Sequence, residues 1–270
     1  MSAAVDALFL GGLVAYSVAA TLHAADLSRR EGEGVARRAG PWVLGAGAAL
    51  HAGHVVAASL LTRVCPVESV HFALSLAGLI LVAAFLVVRR TRRIDALGAV
   101  VAPVALTFLV GAQFVSQAQP ADSVPRGLLA IHVTANLAGV GLFLLAAAAG
   151  AFYLVQERGL RSKRSGRIAG KLPPLEALDW ALHRLLLGGF LLLTLGIASG
   201  SQFTSPPAHG LVGIARLALA YGTWVLAAAV LALRAIAGWR GRRAAWGTIA
   251  GAVCVSLVVA IYVAQPGGLS

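Results

Sequence analysis

The chain has 270 residues, of which 59% are hydrophobic and only 12% charged, where a soluble domain carries about 25% charged residues. A mean hydropathy of +0.85 leaves no room for a sizeable soluble domain and gives space for about eight membrane spans of roughly 20 apolar residues each. The net charge of +12 does not point to nucleic acid, because aromatic residues do not interleave with the basic runs as single-strand binding requires.

Only helices or a closed barrel satisfy the backbone inside lipid. A barrel reads as ~10-residue segments of alternating polarity. Unbroken runs such as GLFLLAAAAGAFYLV and RLALAYGTWVLAAAVLAL read as helices instead. The predicted fold is an all-α, polytopic membrane helix bundle of about eight transmembrane helices, forming a single transmembrane domain over residues 1–270.

In chain order, the first predicted span covers 5–25. It has Asp6 and no basic residue at its start and ends in Asp26, Arg29 and Arg30. That is the pattern of a retained, stopped helix rather than a cleaved signal peptide. Span 2 (41–62) carries His51 and His54, span 3 (70–88) opens on His71, and span 4 (96–116) contains Pro103 and Gln113. Span 5 (128–155) opens near His132, with Asn136 four residues on. A basic segment follows, with Pro173 and Pro174 before a Leu175–Trp180 stretch expected to lie along the membrane interface. Spans 6, 7 and 8 cover 180–200, 211–236 and 245–264.

Lys and Arg sort to alternate connections. Arg29, Arg30, Arg37 and Arg38 follow span 1; Arg89, Arg90, Arg92 and Arg93 follow span 3. Six basic residues lie between Arg158 and Lys171, and Arg234, Arg240, Arg242 and Arg243 follow span 7. By the positive-inside rule these four segments are cytoplasmic, which puts both termini on the outer side. Trp42, Trp180, Trp239 and Trp246 stand at span ends as an interfacial belt. Cys65, in a loop, and Cys254, inside a span, are read as unpaired.

Intramembrane polar groups are costly and carry functional weight. Asp and Glu are absent from the span centres, which disfavours a carboxylate proton relay. A small-molecule transporter would need broken helices and a midplane polar site, for which Pro103 and Gln113 are the only hints. Histidines remain. His51 and His54 share one helix face about 4.5 Å apart along the axis, with His51 near the midplane. Such a pair either binds a planar ligand or hydrogen-bonds neighbouring helices. His71, His132 and His209 collect at the outer surface, as iron ligands or as water-facing interfacial residues. His23 and His183 read as structural. No phosphate-loop, nucleophile-elbow, zinc-protease or covalent-haem motif is present.

An ordered series of segments adds a family resemblance. It begins with His132 opening a span that ends Phe152-Tyr153-Leu154-Val155-Gln156-Glu157-Arg158. Leu172-Pro173-Pro174-Leu175-Glu176-Ala177-Leu178-Asp179 follows, then Gly189-Phe190 and Leu193-Thr194-Leu195-Gly196-Ile197-Ala198-Ser199-Gly200. Gly238-Trp239-Arg240-Gly241-Arg242-Arg243-Ala244-Ala245 closes the series. Over 128–264 the chain resembles the membrane cytochrome c assembly proteins, of the CcsA and HemX kind. The resemblance implies a multi-pass protein of the bacterial inner (plasma) membrane without turnover of its own. It implies haem as cofactor, and other cytochrome c maturation or haem-synthesis proteins as partners besides the lipid bilayer. It places His132 at the family's outer haem-iron ligand, and His51, with His54 as its rival, at the buried one. His209 and His71 are possible outer partners.

Departures from the family pattern favour a second expectation. The loop Ser201-Gln202-Phe203-Thr204-Ser205-Pro206-Pro207-Ala208-His209-Gly210 has neither the Trp-rich run nor its acid. Ala232-Leu233-Arg234 lacks the family's histidine, and so does the tail after the last span. The alternative is thus a HemX-like scaffold or regulator of haem biosynthesis that no longer binds haem.

Overall fold

Apolar stretches of this length can bury their backbone groups only as helices, and the computed structural model bears this out. It describes residues 3–28, 34–66, 70–91, 94–113, 125–161, 172–201 and 210–264. Among these residues the chain is all helix: α1 (Ala3–Ser28), α2 (Val35–Thr62), α3 (Val70–Thr91), α4 (Gly98–Ala112), α5 (Arg126–Arg161), α6 (Leu175–Gly200), α7 (Gly210–Ala237) and α8 (Arg242–Ala264). A one-turn 3-10 helix, Asp95–Leu97, leads into α4. Eight helices are long and apolar enough to cross a membrane.

Several boundaries differ from the sequence reading, these three among them. Helix α2 starts at Val35, so Pro41 lies inside it; the missing N–H leaves one carbonyl in the preceding turn without its helical donor. Helix α6 starts at Leu175, straight after Pro174 in an extended conformation (ψ 147°). Leu175–Trp180 is therefore the first part of α6 rather than a separate interfacial stretch. Pro174 ends the connection and its neighbour begins the helix, which composition alone does not separate from an interface segment. Helix α4 is only 15 residues long, about 22 Å at 1.5 Å per residue, and the 3-10 turn extends it.

Contacts show that successive helices run antiparallel. His23 near the end of α1 packs on Gly40 early in α2 and on Gly98 at the start of α4. The end of α8 packs through Val259 against Leu74, Phe108 and Ala112. Arg37 and Arg38 of α2, Arg89 and Arg90 of α3, Arg158 and Arg161 of α5, Arg234 of α7, and Arg242 and Arg243 of α8 consequently gather at one end of the bundle, hereafter the basic end, whereas Arg126 opens α5 at the other. The helix termini bearing His71 and His132 lie at the opposite end. A single large core of buried residues runs through both halves, from Tyr16, Leu44 and Phe85 to Phe143, Leu182 and Val230.

Helices α5 and α6 pack against each other most extensively. Gly139 and Gly189 make it so: a Cβ on Gly139 would lie 2.9 Å from Leu193 Cγ, and one on Gly189 3.1 Å from the Gly139 carbonyl oxygen. Small residues at a crossing let backbones approach and supply van der Waals packing, the main attraction between helices in lipid. At the basic end, Arg234 of α7 clamps Asp179 of α6 with both nitrogens, at 3.0 and 2.7 Å. The Gly241 N–H donates to the same carboxylate at 2.8 Å. Gly238 and Gly241 adopt φ of 66° and 59°, the left-handed region that glycine enters without penalty, and so turn the chain from α7 into α8.

Candidate functional site

Tyr16, His51, His54, His71 and Gln113 tie the first four helices together. His51 and His54 both face inward, 0% and 2% exposed. The Nδ1–H of His54 donates across to the Val5 carbonyl of α1 at 3.1 Å. Its Nε2 then carries the lone pair and stands 3.4 Å from the Gln113 amide nitrogen, at the end of α4. His71 on α3 donates its Nδ1–H to the Ala112 carbonyl and so caps α4, one of whose last carbonyls lacks a helical partner. His51, one turn deeper, has its Nδ1 3.2 Å from the Tyr16 hydroxyl of α1. Its Nε2 is buried and makes no hydrogen bond, as does Ser75 Oγ on α3.

His132 occupies the same end of the second half. Its Nδ1–H donates to the Gly196 carbonyl of α6 at 2.8 Å. The ring fits there because Gly200 has no side chain: a Cβ at that position would come 2.6 Å from His132 Cε1. Gly196 leaves a similar notch for the Asn136 side chain. The Asn136 amide donates to the His132 carbonyl at 2.8 Å and stands 3.4 Å from Nε2; Ser199 Oγ lies 3.5 Å from Nδ1. Because a carbonyl only accepts, the proton of His132 is fixed on Nδ1 and the lone pair on Nε2.

The model of the family described as cytochrome c assembly protein matches residues 66–263. The chain belongs to the cytochrome c assembly protein family. Nothing similar was found among curated proteins or among solved structures. The family match takes in α3 through α8, hence His71 and His132, and leaves α1 and α2 with Tyr16, His51 and His54 outside it. A multi-pass membrane protein of cytochrome c biogenesis is thus established from two sides, eight apolar helices and the family.

The predicted site residues do not form one cluster. His51, His54 and His71 share the interior of the first four helices, whereas His132 turns to α6. His209 lies outside the described residues. Among the described residues no three His, Cys, Asp or Glu side chains converge on a metal-ion position. A chelated bare ion is therefore not built here, but one or two imidazoles are what a porphyrin iron takes from a protein. Cys65 and Cys254 are free, as expected.

Several participants escaped the sequence reading. Tyr16 shows only as an apolar-span tyrosine until the fold brings it to His51 across 35 residues. Asp179 and Arg234 lie 55 residues apart; the signal was an acid just before one span and an arginine ending the next. His23, read as structural, is 4% exposed and sits edge-on to Phe85, ring centres 6.1 Å apart, with its Nε2 unpartnered. The indole N–H of Trp224 donates to Thr194 Oγ1 at 2.9 Å.

Proposed function

We propose that this family member handles haem during cytochrome c assembly, with His132 as an iron ligand at the end opposite the basic residues and His51 as a buried one. The observation that carries the reading is the seat of His132. Its Nδ1 is tied to the Gly196 carbonyl in a notch made by Gly200, so the Nε2 lone pair has a fixed direction. Metal-bound histidines are held in the same way, the second nitrogen bonded to a carbonyl or carboxylate that sets tautomer and ring orientation. The donor chemistry fits haem at both positions: His132 carries its lone pair on Nε2, beside the Asn136 amide at 3.4 Å, and His51 has a buried Nε2 without a hydrogen-bond partner among the described residues. Bound haem supplies an iron centre whose axial ligands set its potential and reactivity.

The protein's own part is to hold and present. The Gly196 carbonyl orients one imidazole and Tyr16 the other, and the apolar core from Tyr16 to Val101 excludes water around the buried one. By the positive-inside rule the basic end is cytoplasmic, which supports an outer-leaflet position for His132 and His71 in the inner membrane of a bacterium. Haem-loaded partners or haem-synthesis proteins then exchange cargo at the His132 end.

A specific observation favours the HemX-like alternative for part of the site. His54 and His71 spend their Nδ1 protons on backbone carbonyls of neighbouring helices and tie α1 to α2 and α3 to α4. Such bonds between membrane helices are worth about 0.6 kcal/mol each, enough to account for these two histidines without haem. The visible absorption spectrum of the detergent-purified protein tests the main reading. A Soret band that weakens in His132→Ala and again in His132→Ala/His51→Ala supports it. A band unchanged when positions 132, 51 and 54 are all alanine overturns it. Capture of a partner by haem-free protein, lost on deleting 156–179, would support the scaffold instead.

A further inference from the structure

His54, His71 and His132 share one device: Nδ1–H donated to a backbone carbonyl. A carbonyl has no hydrogen to give, so each of these rings is held in one tautomer with its lone pair on Nε2. His51 is built differently. Its Nδ1 faces a hydroxyl, that of Tyr16, at 3.2 Å, with the two rings edge-to-face, 5.8 Å between centres and 85° between planes. Tyr16 and His51 are both 0% exposed, and His51 Nε2 has no hydrogen-bond partner at all.

The seat for this pair is made by α2 itself. Gly47 lies one turn before His51, and a Cβ there would come within 2.9 Å of Tyr16 Cδ1. The tyrosine ring therefore lies across the glycine and ends at the imidazole. On the other side, Gly78 of α3 leaves His51 Cε1 in ordinary contact, 3.6 Å from a would-be Cβ.

A hydroxyl donates or accepts as its partner requires. Phenol is a better donor than a neutral imidazole N–H, and an imidazole nitrogen a better acceptor than a phenol oxygen. With nothing on Nε2, the favoured arrangement has Tyr16 O–H donating to Nδ1 and the ring proton on Nε2. An iron ligand needs the opposite: lone pair on Nε2, proton on Nδ1.

We propose that Tyr16 is the positioning residue of the buried ligand His51, its hydroxyl turning from donor to acceptor as Nε2 takes up iron. The inference rests on the haem reading above. In the exchange the ring proton moves from Nε2 to Nδ1, the hydroxyl hydrogen rotates away, and Nδ1 donates to the phenol oxygen. The pair neither gains nor loses a proton. His51 thereby keeps its orientation with and without iron, whereas the carbonyl-tied histidines are set as ligands at all times. A site that must both accept and release its cargo is served by such a reversible partner.

The test uses the full chain in lipid, labelled with 15N-histidine, with nitrogen protonation read by solid-state NMR and the His51 signals identified by their loss in His51→Gln. In haem-free protein His51 is expected to carry its proton on Nε2, against Nδ1 for His54, His71 and His132. Tyr16→Phe, which keeps the ring packing, is expected to remove that preference. Haem is then titrated in a His132→Gln background, where only the buried site remains. There Tyr16→Phe is expected to weaken binding about tenfold to a hundredfold, the usual effect of losing an outer partner of a metal-bound histidine. It is also expected to raise the midpoint potential, because an Nδ1–H donated to an acceptor makes the imidazole a more basic ligand that favours ferric iron. A His51 proton already on Nδ1 in haem-free protein overturns the switch, and so do an affinity and potential unchanged by Tyr16→Phe. Haem that binds to no variant, wild type included, overturns the functional reading and the switch with it, while the tautomer measurement still decides whether Tyr16 sets the proton on His51.

Discussion

The first four helices and the last four solve the same problem, holding apolar helices together where lipid offers no hydrophobic drive, with different means. In α1–α4 most ties run through imidazole, phenol and amide groups, His54 to Val5, His71 to Ala112, Tyr16 to His51 and Gln113 to His54, beside one ion pair, Arg89–Asp95, at the basic end. In α5–α8 backbone approach at Gly139 and Gly189 and the bidentate ion pair Asp179–Arg234 at the basic end carry more of the load, beside the side-chain bonds of His132 to Gly196 and Trp224 to Thr194. That half leaves a single histidine, His132, among its described residues at the opposite end. The lesson is that a histidine in the first half has a structural account to compete with the functional one, whereas His132 sits on a pair of helices already held by glycine packing and has less structural work to do.

The comparison is broken most severely at the ion pair. Asp179 and Arg234 side chains are 18% and 14% exposed, and removing one partner takes away two charge-assisted hydrogen bonds of a part-buried pair, at a cost of about 2 kcal/mol. Asp179→Ala should therefore lower the thermal unfolding temperature of the detergent-purified protein more than His54→Ala, His71→Ala or Tyr16→Phe in α1–α4. An unchanged melting curve would show that the basic end of the second half is held by something else. Next comes Gly196→Val. The position of its Cβ is already taken by the Asn136 side chain, and forcing extra volume into a packed site costs about 1–3 kcal/mol. Because Asn136 and His132 must move, this variant is expected to lose haem absorbance together with stability, whereas Gly45→Val, whose Cβ would meet only Leu86 Cδ1 at 3.8 Å, is expected to lose little of either.

Smaller effects sharpen the contrast. His71→Ala uncaps α4 and is expected to cost about 1 kcal/mol in unfolding while leaving the absorption spectrum in place; loss of the spectrum instead would make His71 a ligand. Trp224→Phe removes one hydrogen bond to Thr194 and keeps the stacking against Phe190, ring centres 5.4 Å apart. It should cost about 0.6 kcal/mol, the average for such bonds between membrane helices, readable in the same melting experiment.

Much of the fold was legible because membrane spans announce themselves by length and apolarity. Boundaries were less so: Pro41 suggested a start that α2 passes through, and Leu175–Trp180 looked interfacial before it proved to be the opening of α6. At the site, spacing alone placed His51 with His54 and His132 with Asn136 on common faces, and each face does turn inward or to a neighbouring helix. Their partners were out of reach, since Val5, Tyr16, Gln113 and Gly196 come from 35 to 64 residues away. Which nitrogen carries the proton follows from those partners, and so it too is a property of the fold rather than of the local sequence.

The central claim is that an imidazole at position 132 ligates iron through Nε2, and cavity rescue tests it most directly. Haem-loaded His132→Gly, studied in a His51→Gln background, is titrated with free imidazole while its visible spectrum is recorded. The account predicts that the variant lacks the parent's ligated-haem spectrum and that added imidazole restores it, since the notch beside Gly200 and the Gly196 carbonyl remain to seat the small molecule. A parent-like spectrum in His132→Gly before imidazole is added would contradict it.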